Sequence, residues 1–185
     1  MPVSDPHNQR PTLDYIRNKI ESDDLKSLEI LDLGIGVGNF GRIIKEFVTI
    51  PTKITGVDIY DGYRNEQWDY YDSIIVGEIR DFLKQNKKKY DVVLLIDVLE
   101  HFDKDVGKEV LESIIKQADK ALILSTPITR YPQGPYDGNA YEEHKAVWSN
   151  KEILNMGFKK LYSRWMRTYA FWPPISKLGV YVFEK

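Results

Sequence analysis

A glycine-rich turn over residues 34–41 is the part of the sequence whose residue types most directly suggest chemistry. It follows a short apolar segment and opens a segment with helical periodicity. Glycines let the backbone bend tightly and let a ligand approach closely, and the N-terminus of the following helix attracts a carboxylate or a phosphate. Gly36, Gly38 and Gly41 fit the dinucleotide spacing G-x-G-x-x-G, whereas Gly34, Gly36 and Gly38 fit G-x-G-x-G. The turn therefore predicts a cofactor site but leaves the type of cofactor open.

The carboxylate of Asp58 is the second candidate, because it ends the next strand-like segment about 20 residues after the turn. A carboxylate in this place can accept hydrogen bonds from both hydroxyls of a ribose. NAD and S-adenosylmethionine each carry such a ribose. The turn and Asp58 together therefore predict a ribose-containing cofactor and do not distinguish between these two.

The elements that must position these residues alternate between strand-like and helix-like periodicity. This alternation predicts an α/β fold with a Rossmann-like, doubly wound and mostly parallel sheet, whose strands share one ligand-binding edge. Residues 158–166 and 177–183 predict two late strands. The connection between them is too short for a crossover helix, so they should pair antiparallel. With 185 residues, we expect one domain over residues 11–185 after a flexible lead-in at residues 1–10.

The long segment at about residues 127–148 is the predicted acceptor site, because it follows the last predicted parallel strand over the expected mouth of the crevice. It lacks a clear period and mixes aromatic rings with amide, carboxylate and imidazole groups. Such a loop is usually functional, although a structural flap would have the same composition. His144 is the candidate general base, since an imidazole titrates near neutrality, and His101 and Glu143 are the alternatives. Ser149, the residue that directly follows this segment, suits a helix N-cap.

Several segments of the sequence resemble motifs of one enzyme family, and residues 121–127 and 156–158 are among them, as its fifth strand and the entry to its sixth. Residues 29–38 read EILDLGIGVG and resemble the first motif of the class I S-adenosylmethionine-dependent methyltransferases. Residues 56–59 resemble the second motif of that family, and residues 90–101 resemble its fourth-strand motif. The resemblance extends over residues 27–185 with the motifs in order. It implies a Rossmann-like fold, S-adenosylmethionine as cofactor and S-adenosylhomocysteine as product.

The resemblance also implies which residues hold the cofactor. They are Asp32, Gly34, Gly36, Gly38, Asp58, Ile59, Glu78, Ile79, Asp97 and Val98. Asp32 would help to hold the ammonium of the methionine moiety, which would give this carboxylate in an apolar strand a partner. Glu78 would accept a hydrogen bond from the adenine amino group, with the next backbone N–H at the ring. The helix dipole alone would also favour Glu78 at this place.

Two other functions fit parts of the sequence. Tyr141 and Lys145 form a Y-x-x-x-K pattern with Ser125 upstream, as in short-chain NAD(P)-dependent oxidoreductases. The glycine turn lacks the Thr-Gly start of that family, and no Asn-Asn-Ala-Gly segment follows the fourth strand. A non-catalytic cofactor-binding domain is the second alternative, because a fold does not fix a function. The intact glycine turn and Asp58 favour an enzyme.

Composition excludes several classes of site and partner. The net charge of -2 and the pI near 6.0 give no general attraction to nucleic acid or to anionic membranes. The absence of cysteine excludes disulfides and thiolate metal sites. Because His101 and His144 are isolated in the sequence, we expect no metal. No apolar run approaches the ~18 residues of a membrane span.

The sequence as a whole predicts a cytoplasmic enzyme that methylates oxygen or nitrogen of a small polar acceptor. A glycan or a nucleotide-sugar fits, because the acceptor loop is rich in aromatic and amide side chains. Nucleic acid does not fit, because the 26 basic residues are balanced by 28 acidic ones. We expect no membrane partner, and the sequence indicates no oligomeric state.

Overall fold

The described part of the chain is organised around a seven-stranded sheet. The computed structural model describes residues 6–23, 25–136, 138–167 and 175–185. The strands are β1 (Leu28–Leu33), β2 (Thr52–Asp58), β3 (Ser73–Val76), β4 (Tyr90–Ile96), β5 (Ala118–Pro127), β6 (Lys159–Arg167) and β7 (Ile175–Glu184). Strand β6 overlaps the late strand predicted over residues 158–166, and β7 contains the one predicted over residues 177–183.

The strand order β3-β2-β1-β4-β5-β7-β6 makes the sheet mostly parallel. Strands β1 to β5 pair in parallel, whereas β7 runs antiparallel to β5 and β6 runs antiparallel to β7. The predicted Rossmann-like sheet with a C-terminal antiparallel pair is therefore confirmed. The order reverses between β1 and β4, and a ligand crevice is expected outside the carboxyl ends of the strands at such a point.

Helices cover both faces of the sheet. They are α1 (Pro6–Tyr15), α2 (Asn39–Phe47), α3 (Ile79–Gln85), α4 (Lys104–Gln117) and α5 (Asn150–Asn155). On β4, Val93 and Leu95 pack into the core under α3 and α4, whereas Val92 and Leu94 pack into the core under α1 and α2. Burial on both faces explains the almost continuously apolar sequence of this central strand. None of the helices in the described ranges is long and apolar enough to cross a membrane.

The N-terminal segment differs from the flexible lead-in that the sequence predicted over residues 1–10. Helix α1 begins at Pro6, and the side chains of Asn8 and Thr12 are fully buried. Asn8 Nδ2 donates a hydrogen bond of 2.8 Å to Asp97 Oδ2, so a long-range polar contact fixes the helix against the end of β4. Sequence periodicity could not reveal this contact. Residues 1–5 lie outside the described residues.

Helix α5 begins where the sequence predicted it, immediately after Ser149. The Ser149 hydroxyl accepts a hydrogen bond from the Glu152 backbone N–H at 3.2 Å, and the Glu152 carboxylate accepts one from the Ser149 N–H at 2.9 Å. This capping box satisfies two backbone donors at the start of the helix. Gly157, with a φ of 91°, follows the helix and leads the chain into β6. The acceptor loop is thus bounded by β5 and α5.

Candidate active site

A cavity of about 240 Å³ lies at the carboxyl ends of β1, β2 and β4. Most of the predicted cofactor residues line it, namely Gly34, Gly36, Asp58, Ile59, Glu78, Ile79, Asp97 and Val98. Its wall also contains residues of the acceptor loop, namely Asn139, Tyr141, Glu142 and Lys145. The structure therefore brings most of the predicted cofactor residues and part of the predicted acceptor loop to one cavity.

The glycine turn adopts backbone conformations that side chains rarely tolerate. Gly34, Gly36 and Gly38 have φ values of 82°, 51° and 88°. A Cβ atom on Gly34 would lie 2.3 Å from Val98 Cγ2, so this glycine allows close packing of the turn against the end of β4. Gly38 does not line the cavity; it precedes α2 as its left-handed N-cap. The turn thus contributes Gly34 and Gly36, which carry no side chain, together with Ile35 to the cavity wall.

Asp58 is held at the end of β2 by the backbone of two neighbouring turns. Its Oδ2 accepts a hydrogen bond from the Gly36 N–H, and its Oδ1 accepts one from the Tyr60 N–H, both at 2.8 Å. Burial raises the pKa of Asp58, and these two backbone donors oppose the shift. Each carboxylate oxygen retains a further lone pair. The side chain is therefore orientated to accept additional hydrogen bonds from a diol in the cavity.

Asp32 lies behind the cavity wall rather than in it. It is buried, and its Oδ2 accepts a hydrogen bond of 2.6 Å from the hydroxyl of Tyr71. The Tyr71 hydroxyl in turn accepts a hydrogen bond from the Gly41 N–H at 3.1 Å. Burial raises the pKa of Asp32 to about 7, the hydrogen bond from Tyr71 opposes this shift, and Asp58 adds to it. Tyr71 is a functional candidate that sequence reasoning missed.

Asp97 has a strained backbone at the end of β4, with a φ of 54°. Its side chain is fixed from both sides, because Oδ1 accepts a hydrogen bond from Ser125 Oγ at 2.5 Å and Oδ2 accepts the one from Asn8. Strained residues that the surroundings fix so firmly cluster at functional sites. The predicted position of Asp97 in the crevice is consistent with this geometry, and Ser125 supports it instead of facing a substrate.

Glu78 and Ile79 lie at the N-terminus of α3. Glu78 immediately precedes the helix, and its Oε1 accepts a hydrogen bond from Arg80 Nε at 2.9 Å. Both Glu78 and Ile79 line the cavity, as does Arg80. The sequence did not identify Arg80. The Glu78 carboxylate is therefore paired with a cation at the edge of the cavity, and the Ile79 backbone N–H lies beside it in the chain.

The acceptor loop is attached to the cofactor side by a group of side chains from distant parts of the chain. The Tyr63 hydroxyl donates to Glu142 Oε1 at 3.0 Å and accepts from Asn139 Nδ2 at 3.1 Å. Gln133 Nε2 donates to the Glu142 backbone oxygen at 2.8 Å. Burial is the main cause that raises the pKa of Tyr63, so its hydroxyl stays protonated. These contacts form one wall of the cavity.

Tyr141 and Lys145 do not form the arrangement that a dehydrogenase pair would need. Tyr141 belongs to a one-turn 3₁₀ segment, Ala140–Glu142, and Lys145 lies beyond it in an irregular segment. The two side chains are therefore not held one turn apart on the same helix. The oxidoreductase alternative consequently loses its main sequence argument.

The two histidines are neighbours, although the sequence separates them. The rings of His101 and His144 are 4.9 Å apart, edge to face. His101 lines the cavity, whereas His144 does not. Burial lowers the pKa of His144 to about 4, with His101 as the next cause. Burial also lowers the pKa of His101, opposed by the carbonyls of Glu143 and Asp97 and by Glu142. The expectation that the two residues are isolated is wrong, because the acceptor loop folds back onto the end of β4.

Comparisons with known proteins agree with this fold. The chain matches a family model described as a methyltransferase domain over residues 7–167. It is 27% identical over 179 residues to the ubiquinone biosynthesis O-methyltransferase of Rickettsia bellii (strain OSU 85-389), across 93% of this chain and 70% of that protein. Its fold is similar to that of magnesium protoporphyrin IX methyltransferase from Synechocystis PCC 6803 with bound S-adenosylmethionine. That likeness has a TM-score of 0.59 at 18% identity and covers 96% of this chain and 80% of the other.

The fold is also similar to that of 1,6-didemethyltoxoflavin-N1-methyltransferase from Burkholderia thailandensis, with a TM-score of 0.64 at 13% identity over 98% of this chain and 80% of the other. At such identities these structures establish the fold alone. The family model, in contrast, spans both the glycine turn and the acceptor loop. The chain therefore belongs to the methyltransferase-domain family, as its resemblance to class I S-adenosylmethionine-dependent methyltransferases predicted, with S-adenosylmethionine as methyl donor.

Proposed function

We propose that this protein transfers the methyl group of S-adenosylmethionine to an oxygen atom of a small polar acceptor. The observation that carries the proposal is the cavity shared by the glycine turn, Asp58 and the loop residues between 139 and 145. A cofactor at the strand ends and an acceptor under the loop would meet there. The O-methyltransferase name of the Rickettsia bellii relative supports oxygen rather than nitrogen as the acceptor atom.

The residues around the cofactor would divide its recognition among them. Asp58 would accept hydrogen bonds from the ribose hydroxyls, and Glu78 with the Ile79 N–H would recognise the adenine edge. Asp32 lies behind the wall, so we propose that it acts on the methionine ammonium through an intervening water molecule. A cation there would favour ionised Asp32 and offset the raised pKa.

Methyl transfer places modest chemical demands on the protein, because the sulfonium already activates the methyl group. The acceptor hydroxyl loses its proton to a base or to water, and its oxygen forms a bond to the methyl carbon. The C–S bond breaks, its electron pair returns to sulfur, and neutral S-adenosylhomocysteine results. The protein must align these three atoms and exclude water. The wall that Tyr63, Asn139 and Glu142 form would serve both purposes.

The hypothesis that His144 is the general base has less geometric support than the cofactor site. The His144 ring does not line the cavity, and a pKa of about 4 makes it a weak base at neutral pH. If it does act as the base, His144→Gln should lower turnover by about 10²–10⁴-fold and leave cofactor binding intact. A much smaller change would show that the acceptor oxygen is activated in another way.

Calorimetry followed by an acceptor screen tests the proposal. Titration with S-adenosylmethionine, S-adenosylhomocysteine and NAD should give micromolar affinity for the first two and no preference for NAD. Transfer of an isotope-labelled methyl group to phenols, glycans and nucleotide-sugars should then identify the acceptor class. Binding of NAD alone would contradict the cofactor assignment. Cofactor binding without transfer to any acceptor would favour the non-catalytic alternative.

A further inference from the structure

Three potential metal ligands converge beside the cavity. Glu100, His101 and His144 each offer one ligand atom, and these atoms lie within 4.8 Å of one another. Glu100 and His101 belong to a 3₁₀ turn, Leu99–His101, that follows β4, whereas His144 comes from the acceptor loop. The backbone N–H groups of Lys145 and Ala146 donate to the Glu100 carbonyl at 2.9 and 3.1 Å, which fixes the loop against this turn. The convergence is therefore part of the fold.

Both imidazoles are orientated as metal ligands usually are. His101 Nδ1 lies 3.1 Å from the Glu143 carbonyl oxygen, and His144 Nδ1 lies 2.7 Å from the Tyr131 carbonyl oxygen. A carbonyl can only accept, so each Nδ1 carries the proton and each Nε2 keeps its lone pair. Metal-binding histidines are commonly held by such a hydrogen bond from the other ring nitrogen to a carbonyl. The two rings therefore present Nε2 as a donor atom.

Glu100 adds a buried carboxyl group to the two rings. Its side chain is 2% exposed and accepts a hydrogen bond from the Thr126 hydroxyl at 2.9 Å. In the described ranges, no salt bridge joins Glu100 to a lysine, an arginine or a histidine. Burial, followed by repulsion from Asp97, raises the pKa of Glu100 well above its usual range. A bound cation would offset the free energy of burying this carboxylate.

We propose that Glu100, His101 and His144 bind one divalent transition-metal ion at the wall of the cavity. Two imidazoles and one carboxylate suit zinc and its first-row neighbours, whereas magnesium and calcium prefer oxygen ligands alone. Tetrahedral bonds of about 2.1 Å to the metal place ligand atoms about 3.4 Å apart, so binding would draw the three groups together by up to about 1.4 Å from their present separations of at most 4.8 Å.

The place of the ion gives it a role in the reaction. His101 lines the cavity, so a coordination position left open by three protein ligands would face the acceptor. A hydroxyl bound there would lose its proton to solvent water more readily, because the ion stabilises the oxygen anion. That oxygen would then take the methyl group while the C–S electron pair returns to sulfur. This role rests on the proposed function, whereas metal binding itself does not.

Metal binding can be measured on the full chain, free of affinity tag and treated with a chelator. Titration with Co²⁺ should produce visible absorption bands at one equivalent, and calorimetry with Zn²⁺ should give the same stoichiometry. His101→Ala and His144→Ala should each weaken Zn²⁺ binding by about 100-fold or more. His7→Ala is the matched control, because His7 is the remaining histidine of the chain and lies outside the cluster. It should leave binding unchanged.

A second variant and a second readout guard against simple misfolding. Glu100→Gln keeps the shape of the side chain, so it should retain the melting temperature of the metal-free protein while it loses the increase that Zn²⁺ causes. Absence of a one-equivalent Co²⁺ spectrum, or Zn²⁺ binding that survives all three substitutions, would overturn the metal site. S-adenosylmethionine binding without metal binding would overturn this inference alone. Metal binding without cofactor binding would overturn the proposed function and leave the site standing.

Discussion

The two sides of the cavity are built from different kinds of contact. On the cofactor side, backbone groups hold the glycine turn and the ribose carboxylate: the N–H groups of Gly36 and Tyr60 fix Asp58, and the Gly34 N–H donates to the carbonyl near the end of β2. Side chains hold the other two carboxylates of this side, Asp32 and Asp97. On the acceptor side, side chains dominate. The Tyr63 hydroxyl joins Glu142 and Asn139, which are 79 and 76 residues away in the sequence.

This difference separates what the fold fixes from what a few substitutions can change. Backbone contacts on the cofactor side follow from the positions of the strands, so they persist as long as the sheet does. Side-chain contacts on the acceptor side depend on individual residue types in a loop, and loops tolerate variation. A common methyl donor with variable acceptors is the expected consequence. The following predictions test whether the two sides respond to mutation as differently as this view requires.

The largest change in the free energy of unfolding is expected from Asp32, the buried carboxylate behind the cofactor side of the cavity. The pKa of Asp32 is about 7 in the folded protein and 3.8 in the unfolded chain, so between these values the folded state holds the extra proton. The free energy of unfolding should therefore fall as pH rises from about 4 to about 7. Asp32→Asn should remove this dependence and be more stable than the wild type at pH 8 by up to about 4 kcal/mol.

Urea denaturation of the cofactor-free protein between pH 5 and 8.5 measures this effect. The difference between wild type and Asp32→Asn should be about 2 kcal/mol at pH 5 and should grow to about 4 kcal/mol between pH 7 and 8. Tyr71→Phe is the companion variant, because it removes the hydrogen bond that opposes the raised pKa and should extend the fall in stability to higher pH. Parallel pH profiles for wild type and Asp32→Asn would contradict the prediction.

The next largest loss of stability is expected when alanine replaces a glycine of the cofactor side, and a glycine of the acceptor loop serves for comparison. Gly34 and Gly138 both have positive φ values, of 82° and 77°. An alanine Cβ at position 34 would meet Val98 at 2.3 Å, whereas one at position 138 would meet nothing within 4 Å. Gly34→Ala should therefore destabilise the protein by about 3 kcal/mol, and Gly138→Ala by about 1–2 kcal/mol through backbone strain alone.

Thermal denaturation of both variants and calorimetry with S-adenosylhomocysteine would separate the two glycines. Gly34→Ala should also lose cofactor affinity, since the turn must shift away from β4. Gly138→Ala should bind the cofactor as the wild type does. Equal destabilisation and equal affinity for the two variants would show that close packing at position 34 is unimportant.

An intermediate change, in this case in cofactor affinity, is expected at the proposed ribose site. Asp58→Ala should weaken S-adenosylmethionine binding by about 1–3 kcal/mol, because it removes a charged acceptor of hydrogen bonds. The variant should still unfold cooperatively, since Asp58 lies at a strand end. Asp61→Ala is the control, because Asp61 is an exposed carboxylate three residues later that pairs with Arg64 at the surface. Unchanged affinity in Asp58→Ala, measured by calorimetry, would show that the ribose binds elsewhere.

The fold and the cofactor side could be predicted because their signals are local. An apolar run, a glycine turn and an acidic residue at a strand end lie within about 30 residues of one another, and the pattern carries its structural context with it. The same holds for Ser149, whose capping partner is three residues away.

The remaining features depend on contacts that no local pattern encodes. Asn8 reaches Asp97 across 89 residues, and Tyr71 reaches Asp32 across 39. His101 and His144 come together only because the loop returns to the end of β4. Polar side chains far apart in the chain have no periodicity in common, so a single sequence cannot pair them.

The smallest change in stability is expected on the acceptor side, and it tests most directly whether the two sides of the cavity act separately. Tyr63→Phe deletes the hydroxyl that joins Glu142 to Asn139 and leaves the ring in the cavity wall. The loss of two side-chain hydrogen bonds should destabilise the protein by about 1 kcal/mol and raise the KM for the acceptor several-fold. S-adenosylmethionine affinity should not change, because the contacts of Asp58 are untouched. Tyr70→Phe, at a partly exposed tyrosine away from the cavity, is the control for loss of a hydroxyl. If Tyr63→Phe weakens cofactor binding as much as acceptor binding, the two sides of the cavity act as one unit, and the distinction between a backbone-built and a side-chain-built site fails.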